Sequence, residues 1–202
     1  MSELLVNTIK KADGTGDITV PQETGTLLTT ASGLTSTNLP VGSVIKVAYT
    51  QTSTPTSVSL TANTDAIIND LSVSITPSSS SSIIRIDAMV NGEHSLSGNI
   101  ANTVWLFDRD GTKLRAPIAG NRRSGVAMGQ TVGNDSANAA STPEVAYYSY
   151  FDTPATTGSV TYKVVLQTRS DGTWFLNRTV DDTDSDSHER GFSFISVTEI
   201  KG

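Results

Sequence analysis

The chain has 202 residues, 36% of them hydrophobic and 17% charged, enough for one sizeable domain or for one domain and an extended arm. Its 14 Lys+Arg against 20 Asp+Glu give a formal charge of -6, the wrong sign for a protein that lives on phosphate backbones, so no nucleic-acid partner is expected. With no cysteine, disulfides, thiolate metal sites and cysteine nucleophiles are excluded; two histidines, His94 and His188, cannot form a three-histidine centre, and no metal or other cofactor is expected. No apolar run approaches a bilayer-spanning length, and Met1-Ser2-Glu3-Leu4-Leu5 lacks the basic start of a signal peptide, so the expectation is a soluble chain made in the cytosol without membrane insertion.

Ser (26) and Thr (29) make up a little over a quarter of the residues. Thr loses rotamer freedom in helices and Ser competes there for backbone hydrogen bonds, so this composition favours strands and turns. It also raises the question of global disorder, against which stand several alternating apolar runs and a near-balance of charge.

Residues 1–42 differ from the rest. Two short strand-like runs, Leu5 to Lys10 and Asp17 to Pro21, flank Asp13-Gly14-Thr15-Gly16, and a Thr/Ser/Gly-rich stretch follows to Pro40. The aliphatics Leu5, Ile9, Ile18 and Val20 are too sparse to build a core in one copy, but symmetry-related copies wound together could bury them. They are the candidate oligomerisation and attachment residues; a flexible linker is the alternative.

From residue 43 the text becomes recurrent strands. Val44 to Tyr49 is followed by Leu71 to Thr76 in strict alternation, then by Pro77 and the polar turn Ser78 to Ser82. In Ile83 to Val90, Ile84, Ile86, Ala88 and Val90 fall on one side and Arg85 and Asp87 on the other. Asn91-Gly92, Asp110-Gly111 and Asp171-Gly172 each have the residue types of a two-residue hairpin turn. The last strand runs from Phe192 to Ile200, and a place inside the sheet would pin the C-terminus. About eight to ten antiparallel strands must bury a face and protect their edges, which predicts an all-β fold: a jelly-roll-like β-sandwich over 43–202 preceded by the extended arm.

The long insertion from Ile118 to Pro143 carries Arg122-Arg123 and Asn134-Asp135, and loops of this length are often functional. These four are the candidate receptor-binding residues; the arginines suit either an acidic saccharide or the plain task of keeping a surface loop in water. Asp181 to Glu189 packs five carboxylates and His188 into nine residues, but lacks the glycine turn of a calcium loop and reads as a solvated turn. Asn177-Arg178-Thr179 and Asn134-Asp135-Ser136 fit the glycosylation sequon, without consequence in the absence of a secretory signal. Period two separates Tyr148 and Tyr150 from Tyr147 and Phe151, so at least one set is core. No nucleophile elbow, phosphate cradle or acid–base pair is legible, and no enzyme activity is expected.

Val6 to Lys10, Asp13 to Pro21, Asn38 to Ile45, the Leu71 to Ser82 strand with its serine run and the closing Gly191 to Ile200 strand together resemble tail-fibre-type structural proteins of bacteriophages. The resemblance implies a virion protein made in the host cytoplasm, a homotrimer joined by its N-terminal arm to other virion proteins and exposing its β-sandwich to the host surface, with a host glycan as ligand. A capsid decoration or head-fibre protein is the structural alternative. A glycan-degrading enzyme is the remaining one, disfavoured by length and by the lack of an internal repeat.

Overall fold

The computed structural model describes residues 39–95, 102–129 and 141–202, all within one unit, Leu39–Gly202. Leu5, Ile9, Ile18 and Val20 lie outside the described residues, as do Asn134 and Asp135. The unit begins before the expected residue 43 because its lead-in is tied to the C-terminus. Gly42 N–H donates to the Lys201 carbonyl (2.8 Å), Lys201 N–H to that of Ser43 (2.9 Å), and Lys201 Nζ to that of Leu39 (2.5 Å).

The described residues form eleven strands: β1 (Val44–Thr52), β2 (Thr56–Leu60), β3 (Asp65–Ile75), β4 (Ile83–His94), β5 (Val104–Arg109), β6 (Thr112–Leu114), β7 (Ala127–Met128), β8 (Glu144–Asp152), β9 (Val160–Gln167), β10 (Gly172–Leu176) and β11 (Ser193–Ile200). All pairings are antiparallel, in two sheets that pack as a β-sandwich. One holds β1-β11-β4-β8, the other β3-β9-β5-β6, which is the strand order of a jelly roll. Two additions extend it. β7 pairs with β5, and β10 takes over the edge of β4 beyond the β11 pairing and carries β2.

The cause of the two layers is the period-two pattern. Ile84, Ile86, Ala88 and Val90 of β4 are fully buried, as are Ile195 and Val197 of β11, and Leu71, Val73 and Ile75 of β3 turn the same way into the interior. Trp174, Tyr162, Phe107 and Ile68 fill the space between the sheets, each such burial contributing about 1.5–3 kcal/mol. Tyr148 stacks on Phe107 at 4.7 Å, and Trp105 meets Trp174 edge-on at 5.1 Å, so both tryptophans are core.

Buried carboxylates fasten the layers. Asp152 of β8 accepts from Arg109 Nη1 of β5 (2.7 and 2.8 Å) and from the Tyr162 hydroxyl of β9 (2.7 Å), joining one sheet to the other. Burial, with the Asp152 carboxylate beside it, pushes the Tyr162 hydroxyl far above its ordinary value. Burial alone would lower Arg109, but the Asp152 hydrogen bond and charge outweigh it and the guanidinium stays charged. Glu199 accepts from Ser78 N–H (2.5 Å) and Ser82 Oγ (2.7 Å), which explains the serine run: it wraps a buried acid. Glu93 binds Thr142 through N–H and Oγ1 (2.8 and 2.7 Å) and Val180 N–H (2.6 Å).

Two of the three expected hairpin turns are corrected. Asn91-Gly92 stays inside β4, paired on both sides; a Cβ on Gly92 would lie 2.2 Å from the Phe175 carbonyl and 2.9 Å from the Trp174 ring. The glycine there serves close strand approach rather than a turn. Asp171-Gly172 leads from β9 in one sheet to β10 in the other, Asp171 Oδ1 accepting from Ala62 N–H at 2.8 Å. Asp110-Gly111 is the true hairpin, with φ of 47° and 92° as the tight turn requires.

The unit has two distinct ends. The lead-in at Leu39, the C-terminus and the Ser78–Ser82 turn share one. β1 and β2 run from there to the turn at 61–64, where Asn63 N–H donates to the Thr168 carbonyl (2.8 Å) just past the end of β9.

Candidate functional site

Two surface features stand out, an outer sheet face and an arginine groove. On the outer side of the β1-β11-β4-β8 sheet the register aligns side chains in rows. Gln51, Phe194, Met89 and Tyr147 form one, and Tyr49, Ser196, Asp87 and Ser149 the next. Val47, Thr198, Arg85 and Phe151 form the third. Tyr49 is 71% exposed, Tyr147 62%, Phe151 60% and Val47 57%. The charges in these rows satisfy each other: Arg85 binds Asp87 at 2.9 Å, and Ser149 Oγ donates to the same carboxylate at 2.5 Å. The result is a mixed face: Val47, Tyr49, Tyr147 and Phe151 stand exposed along its two outer strands, with the paired Arg85 and Asp87 and the hydroxyls of Ser149, Ser196 and Thr198 among them. The two strands that flank it, β1 and β8, are edge strands of this sheet among the described residues.

Tyr147 and Phe151 are thus the outward members of the aromatic run. Tyr148 is core and Tyr150 packs against it. Burial pushes the Tyr148 hydroxyl well above its ordinary value.

The groove lies at the end away from the lead-in. Its volume is about 310 Å³, and it is lined by Arg115, Ile118, Arg122 and Arg123 of the β6–β7 connection, Asn63 of the β2–β3 turn and Gln167 at the end of β9, among others. The connection is held closed at its neck. Ala116 N–H donates to the Gly125 carbonyl (3.2 Å), Ser124 Oγ to that of Ala116, and Val126 N–H to that of Trp105 (2.7 Å), pinning the loop to β5. Gly125 permits this, since a Cβ there would lie 2.8 Å from the Trp105 carbonyl. Arg123 Nη2 donates to Asn63 Oδ1, and Gln167 Nε2 to Asp65 Oδ1 (3.1 Å) and the Asn63 carbonyl (3.3 Å), so three separate segments are cross-tied. None of the three arginines forms an ion pair among the described residues. Arg109, Arg178 and Arg190, by contrast, each bind a carboxylate.

Of the candidate receptor residues, Arg122 and Arg123 therefore line one groove, while Asn134 and Asp135 are not among the described residues. Arg115, Asn63 and Gln167 escaped the sequence reading. Three arginines within nine positions of a chain with only 14 basic residues was the one available signal for Arg115.

The acidic turn is internally paired. Asp182 binds Arg190 (2.7 Å) and Arg178 (3.7 Å), and Asp181 accepts from Thr183 Oγ1 (2.6 Å), which holds its carboxyl below the ordinary value. Among the described residues no group of three or more His, Cys, Asp or Glu is placed to hold a metal. Asn177 of the first sequon is fully buried, donating to the Thr52 and Thr54 carbonyls and accepting from Ser193 Oγ (2.6 Å), so it is closed to modification in the folded unit. Among the described residues no helix is long and apolar enough to cross a membrane. The chain matches no protein-family model and no curated protein.

Proposed function

We propose that this chain is a structural protein of a bacteriophage virion, a homotrimeric tail fibre or fibre tip that joins other virion proteins through residues 1–42 and meets the host surface with its β-sandwich. The observation that carries the reading is the set of exposed large apolar side chains, Val47, Tyr49, Tyr147 and Phe151, on the charge-compensated outer face of the β1-β11-β4-β8 sheet. Such a face costs free energy when wet and suits contact with copies of itself, since Arg85 and Asp87 already neutralise one another. The number three comes from the resemblance of both chain ends to tail-fibre-type proteins.

The two-ended unit supports the same reading. Its lead-in and C-terminus share one end, leaving the opposite turns free to face outward. A non-enzymatic role is supported by the use of the buried acids Asp152, Glu93 and Glu199 as internal braces, each occupied by two or more donors.

Antibody labelling of intact virions tests the placement. Label at the tail or on projecting fibres is expected. Label spread over the shell alone would replace the tail-fibre reading with a capsid decoration protein. Release of oligosaccharide from host polysaccharide by the purified protein would overturn the non-enzymatic reading.

A further inference from the structure

The geometry points to the groove of Arg115, Arg122 and Arg123 as a binding site for a short acidic sugar, one carrying carboxylate or sulfate groups. The inference rests on the host-contact reading for its biological setting, but its chemistry stands on the groove alone.

Arg115, Arg122 and Arg123 line one groove of about 310 Å³, and among the described residues no carboxylate pairs with any of them. Like charges held together in a folded loop repel one another unless an anion lies among them, and the guanidinium fork matches carboxylate and sulfate oxygens. Arg123 uses Nη2 on Asn63, while its Nε is buried without a partner among the described residues. Arg115 makes no hydrogen bond among them, and Arg122 makes only a long 3.4 Å contact to the Ala119 carbonyl. The Arg115 and Arg122 donors remain available to a ligand, whereas the buried Arg123 Nε lies out of its reach.

The rest of the lining fits a sugar. The Asn63 and Gln167 amides offer groups that can bond hydroxyls, and Ile118, 63% exposed, offers an apolar surface to the C–H face of a ring. The volume stands at the small end of ligand sites, roughly 300–1,000 Å³, so it suits a short segment. The net charge of -6 argues against a long polyanion, whose many phosphates would meet repulsion beyond the groove. The loop's closed neck and the ties to Asn63 fix this arrangement before any ligand arrives, which lowers the ordering cost of binding.

Isothermal titration of the full-length protein tests the inference, using a galacturonate oligomer, a sulfated oligosaccharide, a neutral galactose oligomer, inorganic sulfate and a short DNA duplex. Saturable binding of one or both charged sugars is expected, with their relative affinities telling whether carboxylate or sulfate is the natural group. The neutral sugar, the bare anion and DNA should bind at least tenfold more weakly. Arg115→Gln and Arg122→Gln should each weaken binding at least tenfold while leaving the thermal midpoint unchanged, because neither side chain braces the fold. Arg115→Lys, keeping charge without the fork, should fall between. No saturable binding of either charged sugar, equal binding of the neutral sugar, the bare anion or DNA, or undiminished binding by the arginine variants would each overturn the inference. Sedimentation of the same samples separates the two readings: a trimer that binds no acidic sugar ends the groove inference alone, and a monomer that binds it ends the trimer alone.

Discussion

Tyr147 and Phe194 meet edge-on over the outside of β4, their ring centroids 6.5 Å apart, with Met89 between them in the register. An aromatic pair of this kind is common inside proteins; here it lies on an exposed sheet face. Replacing Tyr147 with Lys puts a solvated ammonium among the exposed apolar side chains of that face, on its outer strand β8. The concentration at which the oligomer dissociates should rise at least tenfold, read by sedimentation. The folding stability of the unit itself should change by no more than about 0.5 kcal/mol, as for other surface positions.

The brace between the sheets predicts a different pattern. Asp152→Ala leaves Arg109 partly buried without its carboxylate and removes the acceptor of Tyr162, and should cost about 3–5 kcal/mol in urea unfolding. Tyr162→Phe removes one hydrogen bond and should cost about 1–2 kcal/mol. Equal losses in the two variants would show that the charge pair adds nothing beyond the tyrosine.

Gly92 and Gly111 are needed for different reasons. Gly92→Ala drives a methyl into the Phe175 carbonyl and the Trp174 ring and should cost about 3 kcal/mol or more, loosening β10 from β4. Gly111→Ala meets nothing within 4 Å but is held at φ +92°, and should cost only about 1–2 kcal/mol. Denaturation of the two variants side by side checks the order.

The two glycines also mark where the sequence was legible. Asn91-Gly92 and Asp110-Gly111 look alike as text, yet only the second turns the chain, because what distinguishes them is the Phe175 carbonyl more than eighty positions away. The alternation of Ile84, Ile86, Ala88 and Val90, by contrast, is a local pattern with one physical solution, and the buried face follows from it. Parity likewise separated Tyr148 from Tyr147 without telling which faced water, a choice made by the opposite sheet through Phe107. The groove was half visible: Arg122-Arg123 stands out in the loop, while Asn63 and Gln167 reach it only through the meeting of the β2–β3 turn with the end of β9.

His94 predicts a pH dependence. Burial lowers its pKa from the ordinary 6.5, so the folded state favours the neutral ring while the unfolded chain takes up a proton at higher pH. Its contribution is complete above pH 6.5 and is lost progressively as the pH falls below that value towards the lowered folded pKa. The thermal midpoint should therefore fall between pH 7 and pH 5 by more in the parent protein than in His94→Gln. Parallel curves would show that His94 does not carry this dependence.

Self-association is the claim on which the virion reading turns, and sedimentation equilibrium of the full-length protein at micromolar concentration measures it directly. One species of about three times the 21.3 kDa chain mass is expected. A single species at the mass of one chain, with the β-sandwich folded, would contradict it.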